Sequence, residues 1–288
     1  MNSVCLVECP RDAMQGIPQF IPTDEKVAYL QSLLAVGFDI LDFGSFVSPK
    51  AVPQMQDTET VIKRLDLSNT STQLLAIVVN RKGIERALAF EAISYLGYPF
   101  SVSPTFQYRN ARKTLEESYH ELGNSAERVK QAGKELVVYI SMGFGNPYGD
   151  VWSIELVLTW IERLARLGIR IFSLADTVGT ADMMTVRKLF EEVISTFPQL
   201  QVGVHLHASP QDWQDKIAAA FEAGCRYFDA AMQGYGGCPF AEDELVGNVA
   251  TEKLVAYLQG RHVSLQLDMA AFRRASEYAR QLFTKYAS

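Results

Sequence analysis

Cysteine is scarce, with four in 288 residues at Cys5, Cys9, Cys225 and Cys238, and no two of them form a CxxC pair. That excludes a disulfide scaffold and a zinc ribbon. Basic charge is not in excess either: 27 Lys+Arg against 33 Asp+Glu leaves a net charge of −6. A non-specific nucleic-acid binder would show a basic face, so nucleic acid is not an expected partner. A small anionic substrate stays open, because a pocket can be locally positive on a negative protein. Long apolar runs are missing as well. The uncharged stretch Ala92–Tyr108 carries Pro99, Pro104 and several hydroxyls, so no membrane span is expected. The first residues, Met1–Arg11, have no basic n-region, and Glu8 interrupts their apolar stretch. No signal peptide is expected there, and a cytoplasmic, reducing location follows as the default.

What is present is an ordinary globular composition, 48% hydrophobic and 21% charged, with enough chain for a sizeable core. Short apolar or β-branched runs alternate with longer segments of helical periodicity. The spacing predicts a strand at Val4–Glu8, then a helix over Asp24–Val36 capped by Thr23 and stopped by Gly37. It continues with Asp39–Phe43 and a helix at Asp57–Leu65, Gln73–Val79 and Ile84–Leu96, Pro99–Val102 and Lys113–Ala132. Then come Leu136–Met142 and Ile154–Leu167, Arg170–Leu174 and Ala181–Phe197, Val202–His207 and Asp212–Ala223, Tyr227–Ala231 and Asn248–Leu258. A last helix, Ala270–Tyr286, is left over.

Eight β–α units at a spacing of roughly 30 residues are the expected size for an α/β (β/α)₈ TIM barrel, here with an additional C-terminal helix. Crossover helices join parallel strands, so the sheet must be parallel. An open doubly wound sheet is the rival, but it usually carries a Gly-rich phosphate turn after its first strand. Here that strand runs into Cys9-Pro10-Arg11-Asp12. No linker or composition shift divides the chain, so residues 1–288 read as one domain.

In such a barrel, function gathers at the carboxyl ends of the strands. His205 and His207 stand there, two residues apart on the seventh strand, and alternate strand residues share a face. Two imidazoles on one face suit a shared metal ion, and only four histidines occur in the chain. The plain alternative is a pair of satisfied or surface histidines. Asp12, taken as the end of the first strand, adds an oxygen ligand. The set suits Mg²⁺, Mn²⁺ or Zn²⁺, and spacing does not choose among them. Arg11 brings a permanent cation to the same mouth, and a metal beside an arginine can stabilise a developing oxyanion. Its structural alternative is an arginine paired with Glu8, Asp42 or Asp176, and Asp176 could equally cap the helix after it. The glycine-rich loop Gly234–Pro239 could act as a lid carrying Cys238, while Cys5 and Cys225 read as packing.

These blocks resemble a known family. Glu8-Cys9-Pro10-Arg11-Asp12-Ala13-Met14-Gln15, Ser45-Phe46-Val47-Ser48-Pro49-Lys50, Val52-Pro53-Gln54-Met55 and Asp176-Thr177-Val178-Gly179 are similar to segments of hydroxymethylglutaryl-CoA lyase, of the DRE-type TIM-barrel metallolyases. So are His205-Leu206-His207, Gly236-Gly237-Cys238-Pro239 and Gly247-Asn248-Val249-Ala250-Thr251-Glu252, all in the family's order. The resemblance implies metal ligands at Asp12, His205, His207 and Asn248, and a catalytic arginine at Arg11. It implies a loop cysteine at Cys238, and it sets Asp42 where the family usually has a functional glutamate. Ser45 and Asn110 join Arg11 as implied substrate contacts. The implied cofactor is a divalent ion, Mg²⁺ or Mn²⁺ first. The implied reaction is cleavage of 3-hydroxy-3-methylglutaryl-CoA to acetyl-CoA and acetoacetate, as in leucine degradation and ketone body metabolism. The implied partner is thus a small acyl-CoA, and a homodimer is left open.

The sequence departs from the family at Cys9 and Ala13 (usually glycine), Met14 (leucine), Gly16-Ile17 (Asn-Glu) and Ala208 (aspartate). Two carboxyl-side groups, Asp42 and His205, are the candidates for the general base. A related aldolase or Claisen-type enzyme acting on another hydroxy-acyl-CoA or hydroxy-oxo-acid would use the same ligand set. A barrel that only binds metal or acyl-CoA is the non-enzymatic reading.

Overall fold

The computed structural model describes residues 3–237 and 247–287. Eight strands close into a barrel in chain order, each parallel to its neighbours: β1 (Cys5–Glu8), β2 (Ile40–Ser45), β3 (Gln73–Ile77), β4 (Ile93–Ser101), β5 (Glu135–Ser141), β6 (Ile171–Asp176), β7 (Gln201–Leu206) and β8 (Tyr227–Ala230). The expected TIM barrel is therefore borne out. Both faces of each strand are covered, so the strands read as continuous apolar runs such as Leu74-Leu75-Ala76-Ile77 rather than as alternation.

Among the described residues eleven α-helices surround the sheet: α1 (Pro10–Gln15), α2 (Thr23–Leu34), α3 (Thr58–Ile62), α4 (Arg81–Leu88), α5 (Pro104–Ala111), α6 (Leu115–Gln131), α7 (Ile154–Arg166), α8 (Met183–Thr196), α9 (Trp213–Glu222), α10 (Thr251–Gly260) and α11 (Met269–Tyr286). Side-chain caps start several of them. Thr114 and Glu117 form a reciprocal capping box on α6, and Ser153 and Asp182 cap α7 and α8. The additional C-terminal helix, α11, packs on α2, where the Tyr29 ring meets Phe283 edge-on at 5.8 Å and Lys285 reaches Glu25 at 2.7 Å. No described helix is long and apolar enough to cross a membrane.

The structure corrects four local expectations. The helix expected over Ile84–Leu96 ends at Leu88, and Ile93–Leu96 already belong to β4, which runs nine residues. Thr23 is the first residue of α2, not its cap, and its hydroxyl donates to Asp57 Oδ2 at 2.7 Å. Asp12 lies on α1, not on a strand, because Pro10 at the first helical turn fixes φ and starts a short helix straight after β1. Asp176 does not cap α8: Asp182 does, and Asp176 is 1% exposed and paired with Lys216.

The barrel interior is tightly filled. Gly203 on β7 has no room for a side chain, since a Cβ there would lie 2.2 Å from the Tyr227 ring of β8. That missing side chain lets a large aromatic enter beneath the mouth.

Candidate active site

At the carboxyl ends of the strands a cavity opens, lined by Arg11, Asp12, Gln15, Ser45, Asn110, His205 and His207 among others. Its walls divide by chemistry. The side toward β1 and β7 is polar, while Val47, Val52, Ile77, Val79 and Phe106 make the other side apolar.

Arg11 and Asp12 enter from α1. The Arg11 guanidinium is held by three side chains: Nε and Nη2 donate to Asp42 Oδ2 at 2.9 and 2.5 Å, and Nη1 donates to Asp12 Oδ1 at 2.8 Å and Gln15 Oε1 at 3.0 Å. Burial opposes its charge, but Asp42 and Asp12 outweigh that and hold its pKa above the ordinary value. Glu8, one expected partner, is instead engaged elsewhere, accepting from Met232 N at 2.8 Å and Thr251 Oγ1 at 2.5 Å. Asp42 is the partner found. It is fully buried behind Arg11 and does not line the cavity. Burial pushes its carboxyl up to about 6, against the pull of Arg11.

The two histidines meet as their spacing predicted, with ring centroids 5.1 Å apart. Asp12, His205 and His207 bring ligand atoms within 4.8 Å of one another, all three side chains buried. His205 Nδ1 hydrogen-bonds Asp229 Oδ2 at 3.0 Å, which orients the ring from below. Burial lowers the His205 pKa, but this carboxylate contact overcomes it and the net shift is upward. His207 goes the other way: burial, then the charge of His205, push it down to about 4. It is therefore a neutral imidazole at neutral pH, as a metal ligand must be. Its Nδ1 is buried with no hydrogen-bond partner. Asp12 remains a carboxylate: burial opposes ionisation, yet Arg11 and the two histidines hold its pKa below the usual range.

Asn248 reaches the same cluster from the loop before α10. It pairs as an isolated bridge with His207, and its Nδ2 donates to Asp12 Oδ2 at 2.7 Å. Gly236 (φ +120°) packs against this pair so closely that a Cβ would fall 2.2 Å from Asn248 Nδ2. A donor set of two imidazoles, a carboxylate and an amide, with one orphaned ring nitrogen, fits a divalent cation.

The remaining expected residues separate. Ser45 and Asn110 line the cavity, and the Ser45 hydroxyl also accepts from Val47 N at 3.2 Å. Cys238 lies outside the described residues. Residues the motif reading passed over include Tyr139 and Ser141 on the cavity wall, Asp229 under His205, and the buried Lys216. Tyr139 and Ser141 sit two apart on β5, the same period that revealed the histidines.

A family model described as HMGL-like matches residues 5–278. The chain is 32% identical over 279 residues to the 3-hydroxy-3-isohexenylglutaryl-CoA/hydroxy-methylglutaryl-CoA lyase of Pseudomonas aeruginosa, covering 96% of this chain and 91% of that one. It is 31% identical over 288 residues to the (R)-citramalyl-CoA lyase of Chloroflexus aurantiacus, covering 96% and 90%. Among solved structures, an HMG-CoA lyase from Acinetobacter baumannii in complex with coenzyme A and 3-methylmalate matches with a TM-score of 0.90 at 31% identity, over 98% of this chain and 92% of that one. The resemblance read from the motifs is thus borne out: the chain belongs to the HMGL-like family and is a carbon–carbon lyase.

Proposed function

We propose that the chain is a divalent-metal-dependent lyase that cleaves 3-hydroxy-3-methylglutaryl-CoA to acetyl-CoA and acetoacetate. One observation carries this reading: Arg11 faces the same cavity as the buried Asp12–His205–His207 cluster, with an apolar wall opposite. Asp12, His205, His207 and Asn248 would hold the ion, Mg²⁺ or Mn²⁺ by the hardness of the oxygen ligands. When bound, the ion supplies positive charge that polarises the substrate oxygens.

The chain's own residues do the rest. Cleavage removes the proton of the tertiary hydroxyl, breaks the adjacent carbon–carbon bond, and leaves the thioester half as an enolate. Arg11 donates to that enolate oxygen, whose charge develops only as the bond breaks, so the interaction favours the transition state over the substrate. Asp42 and Gln15 fix the guanidinium before substrate arrives, which spares reorganisation during the reaction. Of the two base candidates, Asp42 does not reach the cavity, and His205 reaches it with Nδ1 committed to Asp229 and its other nitrogen offered to the ion, so the hydroxyl proton passes through water to solvent. Asp42 is therefore assigned to holding Arg11. Ser45 and Asn110 are the polar contacts for the acyl chain, and Cys238 delivers the proton that quenches the enolate carbon.

The apolar wall of Val47, Val52, Ile77, Val79 and Phe106 supports a second substrate reading, in which the hydroxyl-bearing carbon carries an alkyl group larger than methyl. The Pseudomonas aeruginosa relative is named for both kinds of substrate. Either reaction belongs to the cytoplasm, and the methyl substrate to leucine degradation and ketone-body formation. The test is a panel of 3-hydroxy-acyl-CoAs and hydroxy-oxo-acids assayed with and without chelator. The expected result is release of acetyl-CoA from the methylglutaryl substrate, abolished by chelator and restored by Mg²⁺ or Mn²⁺. Turnover confined to substrates without CoA overturns the reading.

A further inference from the structure

Around His205, on the side of its ring away from the cavity, a second group of polar side chains is packed into the barrel without being satisfied. The ligand atoms of Cys9, His205 and Asp229 lie within 4.8 Å of one another, and all three residues are buried. Asp229 uses Oδ2 on His205 Nδ1 and on the Ser173 hydroxyl, but its Oδ1 is buried with no partner. The hydroxyls of Tyr139 and Tyr227 are buried and unpartnered too, and the Tyr139 ring stands edge-on to His205 at 5.9 Å. The Cys9 thiol has only a weak contact, 3.8 Å to the Val7 carbonyl.

Charge points the same way. Asp12, Asp42 and Asp229 are each 5% exposed or less, and Arg11 is the cation set against them. Burial raises the Cys9 thiol's pKa, and the charges of Asp229 and then Asp42 raise it further. The sulfur thus lies in a negative field that a cation would relieve.

We propose that Cys9, His205 and Asp229 form a second cation site adjoining the first, selective for a soft divalent ion such as Cd²⁺ or Zn²⁺. The geometry is suitable. With bonds of about 2.0–2.3 Å, tetrahedral ligands sit about 3.3–3.8 Å apart. His205 Nδ1 and Asp229 Oδ2 are 3.0 Å apart, so an ion enters by replacing the shared hydrogen with a small opening of the pair. Three bonds form, to Sγ, Nδ1 and a carboxylate oxygen. Two protons leave to solvent, one from the thiol and one from Nδ1. Sulfur decides the selectivity, because thiolates prefer Zn²⁺ and Cd²⁺ over Mg²⁺, whereas the first site offers only nitrogen and oxygen. Occupancy of the second site takes His205 away from the carboxylate that orients it, so a soft ion there inhibits the lyase.

The experiment titrates Cd²⁺ into full-length protein kept in excess Mg²⁺, reading the ultraviolet thiolate-to-cadmium band together with the Cd²⁺ bound per chain. The expected result is a saturable band reaching one equivalent in the wild type. It survives in Cys5→Ala, Cys225→Ala and Cys238→Ala and is lost in Cys9→Ala. Asp229→Asn moves its midpoint at least about 10-fold higher in Cd²⁺. Cys9→Ser, checked by circular dichroism and by Mn²⁺ affinity at the first site, shows that loss of the band is loss of a ligand rather than of the fold. A band that persists in Cys9→Ala, or no band in the wild type at saturating Cd²⁺, overturns the proposal. Because the first site has no sulfur, neither result bears on the lyase reading.

Discussion

Two buried cations stand at the mouth of the barrel and face opposite ways. Arg11 is 7% exposed, meets Asp42 and Asp12, and looks into the cavity. Lys216, on α9, is 1% exposed and lies in the layer between strands and helices, where its Nζ reaches Asp176 Oδ2 at 3.2 Å and Asp212 Oδ2 at 3.0 Å. Each has two carboxylates, yet only one faces the cavity. The difference comes from strand alternation: Ala175 and His205 line the cavity, so their neighbours Asp176 and Leu206 point outward to the helices. Lys216 works through backbone. It donates to the Gly179 carbonyl at 3.0 Å and to the carbonyl of His207 at 3.3 Å, which ties the end of β6 to the segment that carries His207. One cation looks into the cavity, and the other ties the ends of β6 and β7 together from outside.

The largest expected effect breaks the inward half. Arg11→Gln should lower kcat by about 10²–10³-fold or more, the scale of a lost oxyanion donor, while Mn²⁺ affinity falls far less. Arg11→Lys should rescue little, because an ammonium cannot engage Asp42 through two N–H groups and still reach Asp12. Steady-state kinetics beside Mn²⁺ binding checks this. Near-normal cleavage by Arg11→Gln would sink the mechanism.

The outward half should fail in stability rather than in chemistry. Lys216→Met leaves Asp176 buried without its cation, which costs about 3 kcal/mol, read by denaturant unfolding. The double variant Lys216→Met with Asp176→Asn removes the stranded charge and should regain most of that loss. If it does not, the lysine matters for its carbonyl contacts instead. A smaller effect is expected at Asp229, whose carboxylate orients His205. Asp229→Asn should weaken Mn²⁺ binding about 10-fold, with kcat at saturating metal changed less.

What the sequence revealed follows the same inward and outward division. The eight strands were legible because apolar runs and turns repeat at a steady interval, and the His205–His207 pair because a strand has a period of two. β4 began unseen, since Ala87, Leu88, Phe90, Ala92, Ile93 and Leu96 continue a helix-like spacing past the true end of α4. The helix α1 was missed although Pro10 stands where a first turn favours it. Asn248 was found by resemblance, because no periodicity connects it to Asp12 across 236 residues. Asp229 and Lys216 were not found at all: Asp229 acts through contacts between strands inside the barrel and Lys216 through one between strand and helix layers, and local pattern encodes neither. Asp42 shows the remaining gap, since a chain of letters cannot tell a carboxylate open to the cavity from one already committed to an arginine.

Glu8 sharpens the contrast from the side of the anions. Asp42 shares its burial with Arg11, whereas Glu8 has as partners a backbone N–H and a hydroxyl, and burial pushes its carboxyl up to about 8 from 4.5. The folded protein therefore holds this proton more tightly than the unfolded chain does. Where the native state binds more protons, unfolding free energy falls as pH rises. The contribution is complete below about pH 4.5 and is lost progressively as the pH climbs to about 8. Glu8→Gln keeps an oxygen for Met232 N and an amide for Thr251 Oγ1 but has nothing to ionise. Urea unfolding from pH 5 to pH 9 should then show a shallower decline in the variant than in the wild type, with the two slopes differing most between about pH 5 and pH 8 and converging above that. Equal slopes would mean that Glu8 is already an anion at neutral pH, and that a carboxylate can be buried at this strand end without the cation that Asp42 requires.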